Sequence, residues 1–436
     1  MAAPRPRVLL GMAETAGYLA NLQRGFQELG HRCHYLDLPE HPFDYGGRRS
    51  VPRLSRWSDL AHRRLGAHRR RSIRWYLWLV VGGPLDLVIF AWAAIHADLF
   101  IFAGRESLLR RNADLPILKA LGKRVVWVFL GSDHRPPYLN GRAVREAGWT
   151  DDDGYRSLVT GAWVRRKTVR RIERHANALV ALSASAQFHA RSFVNLLAVG
   201  IPCGAPDEEL ASRQDRSEPV FTGGGLRILH APSDPAKGTD AIRACLERLR
   251  QAGILYDYVE ITGRPNREVR AAIDESQLIV DEMYSDTPLA VFGTEAAYLG
   301  RPVLVGGYLA DQIYSDVPPD LLPPTCFVTP ERFCATLLEL AGNEGQRREV
   351  GAAAQSFVRD RWSRADVARR YLQIARGEIP AEWICDPADL RYVLGWGISK
   401  DQLREVLHAL VARWGAPALA MDHNPALESR LLELSR

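Results

Sequence analysis

His230-Ala-Pro-Ser-Asp-Pro-Ala-Lys-Gly-Thr-Asp240 follows a short apolar run, Leu226–Leu229, and leads into a stretch with apolar residues at Ile242, Cys245 and Leu249. The order reads as strand, polar loop, helix. The loop ends in Lys237-Gly238-Thr239, where the helix starts. A helix start offers unpaired backbone N–H groups and the positive end of the helix dipole, which together favour an anion. Lys237 adds a full positive charge. The segment therefore suits a phosphate or pyrophosphate, although an ordinary strand–helix turn with a surface lysine would use the same residues.

The same alternation runs through the chain on both sides. Upstream, Arg7–Leu10 reads as a strand, Gly11–Gly17 as a loop, Tyr18–Leu29 as an amphipathic helix and Cys33–Leu36 as a second strand. Strand Asp98–Phe102, helix Ser107–Ala120, strand Arg124–Phe129, a helix through Arg165–His175 and strand Ala178–Leu182 follow. Downstream come helix Thr239–Gln251, strand Tyr256–Ile261, helix Asn266–Glu275, strand Leu278–Met283, helix Val291–Leu299 and strand Val303–Val305. Strands alternating with helices imply parallel sheets covered on both faces. Polar and glycine-rich residues around 205–225 read as a linker. The division expected is thus 1–204 as a first α/β domain, 226–360 as a second, 361–376 as a closing helix and 377–436 as a helical tail. Ligands of such sheets bind outside the carboxyl ends of the strands, here in a cleft between the two domains.

Composition narrows the class. The chain has 436 residues, 47% hydrophobic and 25% charged, which allows more than one core and excludes a disordered or fibrous chain. A formal charge of +6 suits an anionic partner without naming it. Cys33, Cys203, Cys245, Cys326, Cys334 and Cys385 show no zinc or thioredoxin spacing and read as free thiols in a reducing cytoplasm. Met1–Arg7 runs into the first strand without a basic-then-apolar leader, so no secretory signal is expected. Trp75–Phe102 is apolar, but Gly82-Gly83-Pro84 and Asp86 interrupt it. No run reaches the roughly 20 residues of a spanning helix, so a buried helix followed by a strand is expected.

Ile279-Val-Asp-Glu-Met-Tyr-Ser-Asp-Thr-Pro288 leaves a strand for a polar loop, and Gly293-Thr-Glu-Ala-Ala-Tyr-Leu-Gly-Arg-Pro-Val303 gives a helix, a glycine stop and the next strand. A carboxylate at Glu295, in a helix facing the cleft, can accept two hydrogen bonds from a ribose diol. A solvated helix residue is the plainer alternative. With Lys237-Gly238, this segment makes the chain resemble the GT-B glycosyltransferases, most closely the bacterial GT4 type. The resemblance covers residues 5–376 in layout and is dense in motifs over 226–305. It implies a GT-B fold, two tandem Rossmann-like domains facing a cleft, and transfer of a sugar from a nucleotide-diphosphate donor to an acceptor hydroxyl. In that family the Lys-Gly step holds the donor's phosphates, and the glutamate of Glu-Ala-x-x-x-Gly-x-Pro-Val holds its ribose. Lys237-Gly238 and Glu295 match those roles. Ser233 and Arg264 join the donor phosphates, and the Ser285, Asp286, Thr287, Pro288 and Leu289 loop takes the donor sugar.

The pattern departs from the family at one position. The second glutamate that usually stands eight residues before the ribose glutamate is Thr287 here, and its role falls either to the adjacent Asp286, the candidate catalytic carboxylate, or to backbone N–H groups of the Ser285–Leu289 loop. In the first domain, Gly11-Met-Ala-Glu-Thr-Ala-Gly17 is not Gly-x-Gly-x-x-Gly, which argues against a dinucleotide cofactor. The resemblance places Gly11, Glu14 and Gly17 toward donor phosphate or acceptor. Gly131-Ser-Asp-His-Arg135 supplies Asp133 as a second catalytic candidate and Arg135 as a phosphate ligand, while local capping and pairing is the alternative for both. Leu130 stands where related sequences often have histidine.

No cofactor and no metal are expected. GT-A enzymes use Asp-x-Asp and a divalent cation, whereas Asp151-Asp152-Asp153 lies in a turn-rich stretch and reads as a solvated loop. The arginines between Arg48 and Arg74, with Trp57, Trp75, Tyr76 and Trp78, suit either a solvated helix or docking on an anionic membrane. No nucleic-acid motif accompanies them. The reading is a cytoplasmic transferase of glycan or surface-polysaccharide assembly, at the inner face of the plasma membrane, using a saccharide or lipid-linked acceptor. A two-domain oxidoreductase, a non-catalytic sugar-nucleotide binder and a sugar-nucleotide epimerase stay open as alternatives.

Overall fold

Apolar β-branched and aromatic runs bounded by glycine and polar turns form strands, and amphipathic stretches between them form the covering helices. The computed structural model describes residues 5–37, 50, 52–67, 72–148, 151–204 and 225–436. Nearly all of the expected linker, and Arg48, Arg49, Arg69, Arg70 and Arg71, lie outside the described residues.

The first domain holds β1 (Val8–Met12), β2 (Cys33–Tyr35), β3 (Leu99–Ala103), β4 (Arg124–Val128), β5 (Ala178–Ala181) and β6 (Phe193–Asn195). The second holds β7 (Leu226–His230), β8 (Tyr256–Glu260), β9 (Leu278–Val280), β10 (Val303–Gly306) and β11 (Cys326–Val328). A short strand in the tail, β12 (Ile384–Cys385), returns to the first sheet. The orders are β12-β6-β5-β4-β3-β1-β2 and β11-β10-β9-β7-β8. All pairings are parallel except β12 on β6. Two doubly wound α/β domains with a helical C-terminal extension are therefore present, as expected.

The chain crosses back after the second domain. Helix Arg364–Arg376 packs on the first-domain helix Tyr18–Glu28 through the Tyr371–Tyr18 hydroxyl pair at 2.8 Å and Arg364 Nε donating to Asn21 at 2.9 Å. Tail residues Leu403, Leu407 and Leu427 join the first-domain core with Trp127 and Tyr138. The tail is thus an integral layer of the first domain.

Four expectations need correction. The Ser107–Ala120 helix is a single turn at Arg110–Asn112 and a separate helix Leu115–Ala120. Arg111 and Asn112 take positive φ, and Asn112 and Asp114 accept from the Ser107 backbone and hydroxyl, or from Leu108 and Leu109, closing the turn with side chains instead of helical bonds. The helix Ile73–His96 is not wholly buried: Val80 is 69% and Ile95 66% exposed. Ile89 and Ala93 pack it into the first-domain core and helix Pro52–Ala67 covers another part, leaving the rest of its surface exposed. Asp151-Asp152-Asp153 begins a helix rather than forming a loop. Asp151 caps Asp152–His175 by accepting from Gly154 N–H at 2.7 Å, and Asp152 pairs with Arg413. Finally, Cys245 and Cys334 form a disulfide, because helices Thr239–Gln251 and Pro330–Gly342 pack together on one face of the second sheet. Cys33, Cys203, Cys326 and Cys385 are in no disulfide. No described helix is long and apolar enough to cross a membrane.

Candidate functional site

A cavity of about 370 Å³ lies between the two sheets. The loops that line it follow β1 (Thr15, Ala16), β4 (Leu130, Gly131, Ser132, Arg135), β7 (Ala231 to Ser233, Lys237), β8 (Ile261, Gly263, Arg264) and β9 (Glu282, Ser285 to Thr287, Leu289). These are the carboxyl ends of parallel strands, where a doubly wound sheet receives ligands because helix starts and loop amides converge there.

Lys237 ends a helical turn, Pro235–Lys237, and Gly238 turns the backbone into helix Thr239–Gln251. Gly238 has φ +82°, and a Cβ there would approach Met283 Cβ to 2.5 Å, so a side chain is excluded twice over. Lys237 is buried, with Nζ 2.9 Å from Asp281 Oδ1 and 3.5 Å from Glu282 Oε1. Burial works against its charge, but the two carboxylates outweigh that and raise its pKa. Glu282 is itself raised, by burial above all, with Lys237 opposing and Asp281 adding. The lysine therefore faces the cavity as part of a charge cluster, not as a lone cation. Ser233 and Arg264 also line the cavity, and both are exposed.

Glu295 stands in helix Val291–Tyr298, buried at the cavity wall. Arg270 Nε donates to its Oε1 at 2.8 Å and Asn266 Nδ2 to its Oε2 at 3.1 Å. Asn266 and Arg270 are one turn apart on helix Asn266–Asp274 and so share a face. The carboxylate is held by its far partners in a fixed orientation beside Gly293, whose added Cβ would meet Leu289 at 2.9 Å.

The loop after β9 is closed on itself. Ser285 Oγ donates to Thr287 O at 2.9 Å, and Thr287 Oγ1 donates to Leu289 O at 3.0 Å. Asp286 is ion-paired with the buried Arg135 of the first domain. Burial draws Arg135 down to about 10, which leaves it charged at neutral pH. Arg142 and Arg145 of the first domain pair with Asp234 of the β7 loop, a second charged tie across the cleft.

Several sequence-predicted residues stand elsewhere. Glu14 is buried at the start of helix Tyr18–Glu28, where its oxygens accept from the N–H groups of Thr15 (2.7 Å), Gly17 (3.1 Å), Leu19 (3.2 Å) and Ala20 (2.9 Å), and from Tyr35 hydroxyl (3.0 Å). The anion position of that helix start is filled by the chain's own carboxylate. Burial raises the Glu14 pKa against those hydrogen bonds. Gly17 caps the helix with φ 90°, and Gly11 lies within β1. Thr15, Ala16 and Tyr18 line the cavity in place of Gly11, Glu14 and Gly17. Asp133, half-buried, is also outside the lining; burial raises its pKa against Arg105 and Arg165. Gly238 and Pro288 shape the lining without belonging to it. Asp151, Asp152 and Asp153 are not in the lining either.

Sequence reasoning missed three contributions. Asn266 and Arg270, which hold Glu295, were legible only as an i, i+4 pair. Leu182, Leu196, Leu197 and Ile201 form an apolar wall from the first domain. Trp396, from the tail, lines the cavity and donates from Nε1 to Glu282 Oε2 at 2.6 Å. Its flanking glycines, Gly395 and Gly397, were the available signal.

No protein-family model matches the chain, and no curated protein matches it. Solved structures do. HepE from Anabaena, in complex with UDP-glucose, is 12% identical with TM-score 0.49, covering 86% of this chain and 100% of that one. The catalytic domain of starch synthase IV from Arabidopsis thaliana, bound to ADP and acarbose, is 11% identical with TM-score 0.47, covering 86% and 99%. The glycosyltransferase SnogD from Streptomyces nogalater is 13% identical with TM-score 0.41, covering 85% and 100%.

Proposed function

We propose that the chain is a GT-B glycosyltransferase, of the GT4 kind, that moves a sugar from a nucleotide-diphosphate donor to an acceptor hydroxyl. The observation that carries this reading is the meeting of two motifs far apart in sequence. Lys237, beside a helix start, and Glu295, on another helix, line one cavity at the carboxyl ends of both sheets. A phosphate-binding turn and a diol-binding carboxylate in a single cleft suit a nucleoside diphosphate.

In this reading Glu295 accepts the ribose hydroxyls while Arg270 and Asn266 keep it oriented. Ser233, Lys237, Gly238 and Arg264 meet the diphosphate through side chains and helix-start amides. Ser285, Thr287, Pro288 and Leu289 shape the pocket for the donor sugar. The acceptor hydroxyl oxygen attacks the anomeric carbon and passes its proton to Asp286, the bond from that carbon to the phosphate oxygen breaks, and the nucleoside diphosphate leaves with the electron pair. Preorganised positive charge from Lys237, Arg264 and Arg135 stabilises that leaving group without a metal. Asp286, rather than Asp133, is the carboxylate at the reacting centre, because only Asp286 lines the cavity.

The apolar first-domain wall favours an acceptor with an apolar body, which suits the lipid-linked class in glycan or surface-polysaccharide assembly. The exposed apolar residues of helix Ile73–His96, beside the arginine-bearing helix Pro52–Ala67, suit docking at the inner face of the plasma membrane from the cytoplasm.

Incubation with a panel of nucleotide sugars, with and without lipid-linked and saccharide acceptors, tests the reading by product analysis. Glycosylated acceptor formed in EDTA supports it. Isomerised donor without acceptor supports the epimerase alternative, and binding without any product supports the non-catalytic one.

A further inference from the structure

We infer that Trp396, on the C-terminal tail, is a positioning residue of the donor site, which keeps Glu282 from closing on Lys237; the inference rests on the donor reading above. The tail passes between the domains at this point. Trp396 N–H donates to Leu139 O at 3.0 Å and Gly141 N–H to Trp396 O at 2.8 Å, both in the first domain. Gly397 N–H donates to Tyr284 O at 3.0 Å, and Lys400 N–H to Tyr308 hydroxyl at 3.0 Å, both in the second. Gly397 has φ +65° and an added Cβ would reach Ala236 Cβ at 2.9 Å, so the tail lies directly on the Pro235–Lys237 turn. The backbone that carries the indole is therefore fixed from both sides.

Its Nε1–H binds one oxygen of Glu282, and the other oxygen stays 3.5 Å from Lys237 Nζ, while Asp281 stands at 2.9 Å. A carboxylate with one oxygen held by an indole cannot chelate the ammonium with both. Without the indole, Glu282 is a buried anion whose strongest remaining partner is Lys237, and a charged hydrogen bond in such a site is worth closing up. Closer pairing would withdraw Lys237 from a diphosphate. The tail thus sets how much of the lysine's charge the donor meets.

The test is a double-mutant cycle in the full chain, read by titration with the best-bound nucleotide sugar of a UDP, GDP, ADP, dTDP and CMP panel. Trp396→Phe, which keeps an aromatic ring and removes the donor, should weaken binding about tenfold. Glu282→Gln should bind several-fold tighter than the parent. In the Glu282→Gln background, Trp396→Phe should have little further effect. Equal binding by the parent and Trp396→Phe overturns the inference, as does the same loss in both backgrounds, which would mark packing alone. Should Trp396→Phe fail to fold, tighter binding by Glu282→Gln supports it and equal or weaker binding overturns it. A parent chain that binds no member of the panel defeats the donor reading itself, and this inference with it.

Discussion

Arg135 and Asp286 form a buried ion pair across the cleft, the arginine from the loop after β4 and the aspartate from the loop after β9. Each domain thus supplies half of a charged contact in the wall of the cavity. An incoming diphosphate competes with Asp286 for the guanidinium, so donor binding and domain contact share one residue. Removing one partner of a buried pair strands the other and costs about 3–5 kcal/mol. Arg135→Ala should lower unfolding free energy by that order in urea titration and abolish transfer. A loss under about 1 kcal/mol, the range of an exposed pair, would contradict the pairing.

Glu14 belongs to the fold and not to the substrate. It accepts from four backbone N–H groups and Tyr35. Glu14→Gln replaces a charged acceptor by a neutral one and brings an NH2 group among donors, so about 1–3 kcal/mol of stability should go. Affinity for the nucleotide sugar, measured below the variant's melting temperature, should stay within about twofold of the parent. A selective loss of affinity with unchanged melting would return Glu14 to the binding site.

Acid should tighten donor binding. Burial raises the Glu282 pKa, with Lys237 opposing and Asp281 adding. Protonation removes one of the two negative charges beside Lys237, so an anionic ligand binds better to the protonated form, and the gain is lost as pH rises through the Glu282 pKa. A nucleotide sugar has no phosphate titration near neutrality to mask this. Affinity should rise as pH falls toward the raised Glu282 pKa, and Glu282→Gln should flatten the profile. A profile unchanged by that substitution would contradict the assignment.

The hairpin of helices Pro52–Ala67 and Ile73–His96 carries exposed Trp57, Val80, Leu87, Val88 and Ile95. Flotation with vesicles of roughly one-third anionic phospholipid should carry the protein up, and neutral vesicles should carry less. Val88→Glu should reduce flotation without altering the melting temperature. Equal flotation by the variant would remove this face from membrane docking.

The fold was legible where periodicity was strong. Val8 to Leu10, Val125 to Val128 and Leu278 to Val280 are apolar runs between glycine and polar turns, and they became central strands. The short strands Phe193–Asn195, Cys326–Val328 and Ile384–Cys385 were not legible, because two or three residues carry no period and their pairing depends on distant chain. Lys237 and Glu295 were found because a loop and a helix start have local signatures. Their partners Asp281, Glu282 and Arg270, and the Trp396 that holds Glu282, were not, since such pairing is a property of the folded neighbourhood. Asp133 and Glu14 illustrate the converse: a polar residue in the right loop can turn to cap or pair locally, and sequence alone does not say which way it turns. The Cys245–Cys334 bond, 89 residues apart, likewise follows from helix packing and not from spacing.

Calorimetric titration of the parent, Lys237→Ala and Glu295→Ala with the nucleotide-sugar panel addresses the cavity assignment most directly. The parent should bind at least one member, with both variants folded at the parent's concentration and weakened about tenfold or more. Binding unchanged in both variants, or its absence throughout the panel in the parent, would contradict the assignment of this cleft to a nucleotide-diphosphate sugar.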